Sequence, residues 1–234
     1  MNNAKENTFI VTKSFFKSLL SSFPVGSTAV EIYNEFQSRQ VERKIKRLEE
    51  FYSSLDAKIT SVEDRVNKEF LSKEDFQDVF EEATRYVVLE RKEEKRNYFK
   101  NILVNSILSK VSDYDKTERY FRLLDNLTEL ELTILAVLDN PDLYNKRNGM
   151  IIKDPVHNAY QTIWNHASAE GVLTQLLGLK VQDVAEAATV LFSNGLVVEN
   201  FLNRKIETNG NSIRVLENLL TARGRDFVNF LKDS

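Results

Sequence analysis

The chain has 234 residues, contains no cysteine and carries a formal net charge of −3 at pH 7. This length allows one large domain or two ordinary ones, and a hydrophobic fraction of 42% is typical of a folded globular protein rather than a disordered one. The lack of cysteine excludes disulfides, thiolate nucleophiles and sulfur-ligated metals.

The charge is distributed unevenly along the chain. Residues 1–126 contain 22 basic and 22 acidic residues, whereas residues 127–234 contain 10 basic and 13 acidic residues. Non-specific DNA binding usually needs a basic surface that displaces counterions from phosphates. The acidic second half therefore disfavours DNA binding as the main activity.

Neither a signal peptide nor a membrane-spanning segment is predicted. The N-terminal sequence MNNAKENTF lacks a basic region and a long apolar core, and no stretch approaches the roughly 20 apolar residues of a membrane-spanning helix. We expect a cytoplasmic protein that is not an integral membrane protein.

Glycine and proline mark a change of architecture. Neither occurs between Gly26 and Pro141, a span of 114 residues. In a helix interior glycine costs about 1 kcal/mol and proline about 3 kcal/mol relative to alanine, so this span is predicted to be helical throughout. We predict a mainly α protein with a long-helix domain over residues 1–126 and a second domain over 127–234.

The first predicted helix covers residues 8–23 and is rich in phenylalanine. Lys13 and Lys17 lie beside its apolar positions, so the helix fits peripheral contact with a membrane surface. Packing of the same phenylalanines onto the helical bundle is the favoured interpretation, because two lysines make only a small basic face.

The next helix has the clearest periodicity in the sequence. Its apolar residues alternate in spacings of four and three, the repeat of a coiled-coil seam. These seam positions are Val41, Ile45, Leu48, Tyr52, Leu55, Ile59, Val62 and Val66. The seam needs a partner helix, from the same chain or from a second copy in a homodimer.

Ser72 and Asp75 mark the start of a further helix, predicted to run without interruption to residue 107. It is the natural partner of the seam in a long antiparallel helical hairpin. The run LERKEEKRNYFKN within it is interpreted as a solvated face with its own ion pairs, and a binding face for a charged partner is the alternative. A short helix near 115–126 completes this half.

The second half begins with a helix whose two ends are both marked in the sequence. Thr128 and Glu131 match a capping box, and Asn140-Pro141 is predicted to end the helix. Residues 141–155 are polar and rich in turn formers, and a helix is predicted over 156–169.

The segment GVLTQLLGLKVQDVAEAATVLFSNGLVVENF resembles the helix–turn–helix of winged-helix domains. The resemblance covers about 105 residues from Leu127 and implies a strand after Gly195, a β-wing over 203–212, a returning strand over 213–220 and a closing helix in LTARGRDFVNFL. The predicted fold is thus a helical hairpin or bundle followed by a winged-helix-like α+β domain with a small wing.

The resemblance also implies contact residues, because in DNA-binding members the second helix enters the major groove. The matching exposed positions are Lys180, Gln182, Asp183, Glu186, Thr189 and Ser193, and their two carboxylates disfavour phosphate contact. Basic residues cluster instead on the wing and the closing helix. The candidate contacts to DNA or a protein partner are Lys180, Gln182, Arg204, Lys205 and Arg214.

A weaker resemblance concerns the first half. Its segments SSFPVGSTAVEIY, RKIKRLEEFYSSL and ERKEEKRNYFKNIL resemble a group of bacterial long-helix proteins without an assigned activity. This resemblance implies no site residues.

No catalytic, cofactor or metal motif is found in the sequence. His157 and His166 are nine residues apart and would lie on opposite faces of one helix. The leading hypothesis is a non-enzymatic interaction or scaffold protein with a protein partner. The alternative is a DNA-binding transcriptional regulator that dimerises through its long helices and contacts DNA through its wing.

Overall fold

A computed structural model describes residues 39–66, 74–108, 114–152, 165–208 and 212–233. Across these residues the chain is mainly helical, with one two-stranded antiparallel sheet, so the mainly α prediction is confirmed. The chain divides into two compact units between Phe121 and Arg122. This division falls inside a helix, close to the predicted domain boundary after residue 126.

Among its described residues, the first unit contains three helices and the first part of a fourth. Their bounds are α1 (Arg39–Ser61), α2 (Glu74–Leu89), α3 (Glu93–Leu108) and α4 (Tyr114–Asn126), and a short 3-10 helix (Glu63–Arg65) follows α1. Each of α1, α2 and α3 contacts the other two. The region predicted as helix 8–23 and the proposed start at Ser72 lie outside the described residues.

The coiled-coil-like seam is buried within the chain over its C-terminal part. Leu55 and Ile59 are each 1% exposed and Val62 is 5% exposed, whereas Leu48 and Tyr52 are half-buried. Burial raises the pKa of the Tyr52 phenol, the one polar group in the seam. Val41 and Ile45 lie in α1, and their side chains are outside the part of the structure that is described.

The last two seam positions lie beyond α1, which corrects the prediction of one continuous helix. The Ser61 hydroxyl donates to the Lys58 carbonyl (2.6 Å), and the Val62 and Arg65 amides donate to carbonyls three residues earlier. Such bonds tighten the chain into 3-10 geometry and end the α-helix. Val66 follows this turn and is half-buried.

The single helix predicted from Ser72 to residue 107 is wrong, because it is interrupted at residues 90–92. No glycine or proline causes the break. Instead, the Glu90 carboxylate accepts the Lys92 amide (2.7 Å), and the Arg96 guanidinium donates to the Arg91 carbonyl (2.9 Å). These side-chain bonds take the place of helical backbone bonds. The break separates α2 from α3, so both helices pack against α1.

Apolar side chains of α2 and α3 form the core of this region. α3 is covered on more than one face, because its buried positions include polar Asn101 and Ser106 as well as apolar residues. Aromatic rings continue the core: Tyr86 stacks on Phe99 with centroids 5.0 Å apart, and Phe99 lies 5.9 Å from Phe121. Among the described residues of this unit, the fully buried phenylalanines are Phe76, Phe80, Phe99 and Phe121.

The second unit contains five α-helices after the end of α4 and two short strands, among the residues described. Their bounds are α5 (Glu129–Asp139), α6 (Pro141–Arg147), β1 (Asn165–Ser168), α7 (Ala169–Leu177), α8 (Val181–Ser193), β2 (Lys205–Thr208) and α9 (Ala222–Leu231), with 3-10 helices at Phe201–Asn203 and Ser212–Leu216. α8 and α9 both contact α5, and α7 contacts α8.

The predicted capping box of α5 is confirmed. The Thr128 hydroxyl accepts the Glu131 amide (3.5 Å), and the Glu131 carboxylate accepts the Thr128 amide (2.5 Å). α5 ends at Asp139 as predicted, but the next residues are not a loop. Asn140 caps α6 by accepting the Leu143 amide (3.0 Å), and Pro141 occupies the first turn, where its missing N–H costs nothing.

Replacing Thr128 with alanine is expected to lower the free energy of unfolding by about 1 kcal/mol, because one half of the capping box is lost. Chemical denaturation followed by circular dichroism measures this change. Thr133 in the middle of the same helix is the control, since its hydroxyl only bonds back to the Glu129 carbonyl. Equal losses in the two variants would contradict a capping role for Thr128.

The sheet differs from the predicted wing. β1 pairs antiparallel with β2, with Ser168 opposite Lys205 and Asn165 opposite Thr208. Residues 165–168 were predicted as the end of a helix, and that prediction is wrong. The strand predicted over 213–220 is also wrong, because Ser212–Leu216 is a 3-10 helix and only Leu220 pairs, in an isolated bridge to Val197.

Candidate contact surfaces on the second unit

The outer face of α8 is polar and carries no cation. Helical spacing places one set of side chains outward and another toward the core. The outward set is Gln182, Glu186, Thr189 and Ser193, all exposed, and the buried set is Val184, Ala187, Ala188 and Leu191. α8 contains no lysine or arginine, and its charged residues are Asp183 and Glu186.

The outward polar side chains already make hydrogen bonds within the helix. The Gln182 amide donates to the Glu186 carboxylate (3.0 Å), and the Thr189 hydroxyl donates to the Ala185 carbonyl (2.9 Å). The Ser193 hydroxyl donates to the Thr189 carbonyl (2.8 Å). Because this face is negatively charged and its hydrogen-bond donors are already bonded within the helix, it is poorly suited to contact phosphates or base edges.

Exposed apolar side chains flank the polar stripe. Val181 is 49% exposed and Phe192 is 47% exposed, and their separation of eleven residues, close to three turns, puts both on one flank of α8. Single exposed apolar residues are ordinary, but an exposed phenylalanine on the flank of a polar stripe is a typical protein-contact feature. Sequence reasoning missed Phe192, although it follows buried Leu191 directly and so falls out of phase with the buried set.

The predicted basic contacts have unequal roles. Lys180 and Lys205 are exposed, at the start of α8 and in β2. Arg214 is exposed and lies 3.9 Å from the Glu217 carboxylate. Arg204 is half-buried, and its guanidinium donates to the Glu217 carbonyl. Arg204 therefore fixes a turn of the backbone, which leaves Lys180, Lys205 and Arg214 as the outward-facing cations of the predicted set.

A second exposed apolar group follows α6. The buried Asn145 side chain bonds both the amide (3.0 Å) and the carbonyl (2.9 Å) of Ile152. This clamp holds a tight turn in which Met150 has a positive φ of 55°. Met150 is 52% exposed and Ile151 is 41% exposed, so the turn presents apolar side chains outward.

His166 does not lie in the predicted helix. His166 lies in β1 opposite Glu207, and His157 is outside the described residues. Within the part of the chain that the structure describes, no group of three His, Cys, Asp or Glu residues is placed to hold a metal ion. No helix there combines the length and apolarity that crossing a bilayer requires.

No protein-family model, no curated protein and no solved structure matches this chain.

Proposed function

We propose that the protein is a non-enzymatic, cytoplasmic interaction or scaffold protein, whose second unit is a winged-helix-like domain used for protein contact. The observation that carries this proposal is the surface of α8. Its outer stripe is acidic and self-paired, whereas its flank exposes Val181 and Phe192. A protein partner with an apolar patch matches such a surface better than a polyanion does.

A photo-crosslinking residue in place of Phe192 tests the proposal. We expect a discrete crosslinked protein in cells that loses intensity when Val181→Asp places a charge on the same flank. The matched control carries the crosslinker at Gln175, an exposed position on α7. Identical products from positions 175 and 192, or products insensitive to Val181→Asp, would contradict a specific contact on this flank.

The first unit supports the scaffold role through its coiled-coil-like helices. Leu55, Ile59 and Val62 are buried against helices of the same chain, so this part of the seam needs no second copy. A homodimer would have to form through the seam toward Val41 and Ile45 or through another face. Peripheral membrane contact through residues 8–23 stays a prediction, because that segment lies outside the described residues.

The alternative is a DNA-binding regulator that uses its wing. Lys205 and Arg214 favour it, because both are exposed on the elements that replace the predicted wing and returning strand. Two such cations make only a small positive surface, whereas specific DNA binding normally neutralises several phosphates. The protein-contact function therefore has the stronger support.

A further inference from the structure

The C-terminal end of α2 is held by arginines from two other helices. The Arg47 guanidinium of α1 donates to the Val88 carbonyl (2.8 Å). The Arg96 guanidinium of α3 donates to the Arg91 carbonyl (2.9 Å) and reaches the Glu90 carbonyl (3.5 Å). These bonds satisfy carbonyls that a helix end otherwise leaves without a partner.

Two further arginines lie close to Arg47, and their side chains take no part in these bonds. Arg43 precedes Arg47 by one turn of α1, and Arg91 lies in the break between α2 and α3. Both are exposed, and neither side chain makes an ion pair or hydrogen bond to any residue in the described ranges. We call Arg43, Arg47, Arg91 and Arg96 the arginine corner.

The other three guanidinium groups are close enough to Arg47 to repel its positive charge. The pKa of Arg47 is lowered, first by partial burial and then by the positive charges of Arg96, Arg91 and Arg43. Glu90 acts in the opposite direction. Two carboxylates near the corner are shared with lysines: Glu90 lies 3.6 Å from Lys95, and Glu50 pairs with both Arg96 (3.6 Å) and Lys46 (3.8 Å).

Capping α2 requires only Arg47 and Arg96, whereas Arg43 and Arg91 add repulsion to Arg47 and make no ion pair or hydrogen bond through their side chains to the described residues. Guanidinium groups bind phosphate oxygens in a planar, bidentate geometry, and fixed guanidinium groups lose little entropy on binding. We propose that the arginine corner binds a single phosphate group, either free phosphate or the phosphate of a small monoester. Arg43 and Arg91 supply the free donors, and Arg47 and Arg96 supply fixed positive charge.

The same geometry disfavours a nucleic-acid backbone at this place. A duplex presents a row of phosphates and is matched by a stripe of cations. Here the arginines meet at one helix end, and Glu50 and Glu90 interrupt the positive surface. A single compact dianion fits this arrangement.

Calorimetric titration of the full chain tests the proposal, with inorganic phosphate and glycerol phosphate added at matched ionic strength against chloride. The test variant is Arg43→Ala/Arg91→Ala, and the control is Arg65→Ala/Arg119→Ala, which removes two exposed arginines of the same unit. We expect saturable phosphate binding by the wild type and the control, and a dissociation constant on the order of tenfold higher or more in the test variant. Tighter binding of the monoester would identify a small phosphorylated ligand, and equal binding would identify phosphate itself.

Three results would overturn the proposal: no saturable binding by the wild type, equal binding by the test variant, or binding of a duplex oligonucleotide at the corner that increases with its length. Circular dichroism of each variant shows whether the fold is intact. Both substitutions of the test variant are at exposed positions, so no change of fold is expected.

Discussion

Replacing Gly224 with alanine is expected to destabilise the second unit by more than about 3 kcal/mol, because two stretches of backbone meet there. A Cβ atom at this position would overlap the Leu196 carbonyl oxygen and lie 2.9 Å from its carbon. The Thr221 amide donates to that same oxygen (3.0 Å), and the Thr221 hydroxyl donates to the Gly195 carbonyl (2.7 Å). The backbone around Leu196 and the start of α9 cannot move apart without breaking these bonds.

The chain provides a matched control for this substitution. Gly171 occupies the same third position of α7, with its amide bonded to the capping Ser168 hydroxyl, as Gly224 is bonded to Thr221 in α9. A Cβ at Gly171 would meet only the Ser168 hydroxyl oxygen, at 2.9 Å, and a side chain can shift. Gly171→Ala should therefore change the free energy of unfolding by about 1 kcal/mol or less, since alanine also favours the helix. Similar denaturation midpoints for the two variants would contradict the close approach at Gly224.

Replacing Phe99 with alanine is expected to cost the first unit about 3–5 kcal/mol, the usual range for removing a buried phenylalanine. Phe99 is fully buried in α3 and lies between Tyr86 of α2 and Phe121 of α4. The substitution removes both ring contacts and leaves a cavity where helices of this unit meet. Urea denaturation followed by circular dichroism measures the loss.

Leu89→Ala is the control for Phe99→Ala, because Leu89 is 67% exposed at the end of α2. Its loss should stay within about 0.5 kcal/mol, as for most surface substitutions. An equally small effect for Phe99→Ala would show that the aromatic group is not the core of this unit.

Several elements follow from local sequence signals. The 114-residue span without glycine or proline predicted the mainly helical first half, and Thr128 with Glu131 predicted the start of α5. Gly178 and Gly195 follow α7 and α8, and both adopt a positive φ (64° and 68°) that favours glycine. These signals are local, so the sequence displays them directly.

The errors arise where distant or unusual contacts decide the structure. The break at residues 90–92 depends on hydrogen bonds of charged side chains, which hydrophobic periodicity does not register. β1 has the sequence NHAS, with little intrinsic strand preference, and it forms through pairing with β2 about forty residues away. Asn140-Pro141 was interpreted as a helix end, whereas it ends α5 and also begins α6.

The candidate contact surface was predictable only in part. The exposed positions of α8 follow from its period, but the half-buried role of Arg204 depends on a carbonyl thirteen residues away, at Glu217. The sequence therefore could not show whether a charged residue of the predicted wing stabilises the fold or contacts a partner. The arginine corner was not predictable either, because only Arg91 and Arg96 lie in the run interpreted as a solvated face, whereas Arg43 and Arg47 come from α1.

Binding to a mixed-sequence DNA duplex tests most directly whether the second unit is a protein-contact domain. Fluorescence anisotropy at about 50 mM and about 200 mM salt would compare the wild type with Lys205→Ala/Arg214→Ala, which leaves the Arg204–Glu217 hydrogen bond intact. The protein-contact function predicts no saturable binding at the lower salt concentration and no difference between the two proteins. Saturable binding that falls steeply with salt and disappears in the variant would contradict it and establish the wing as a DNA-binding element.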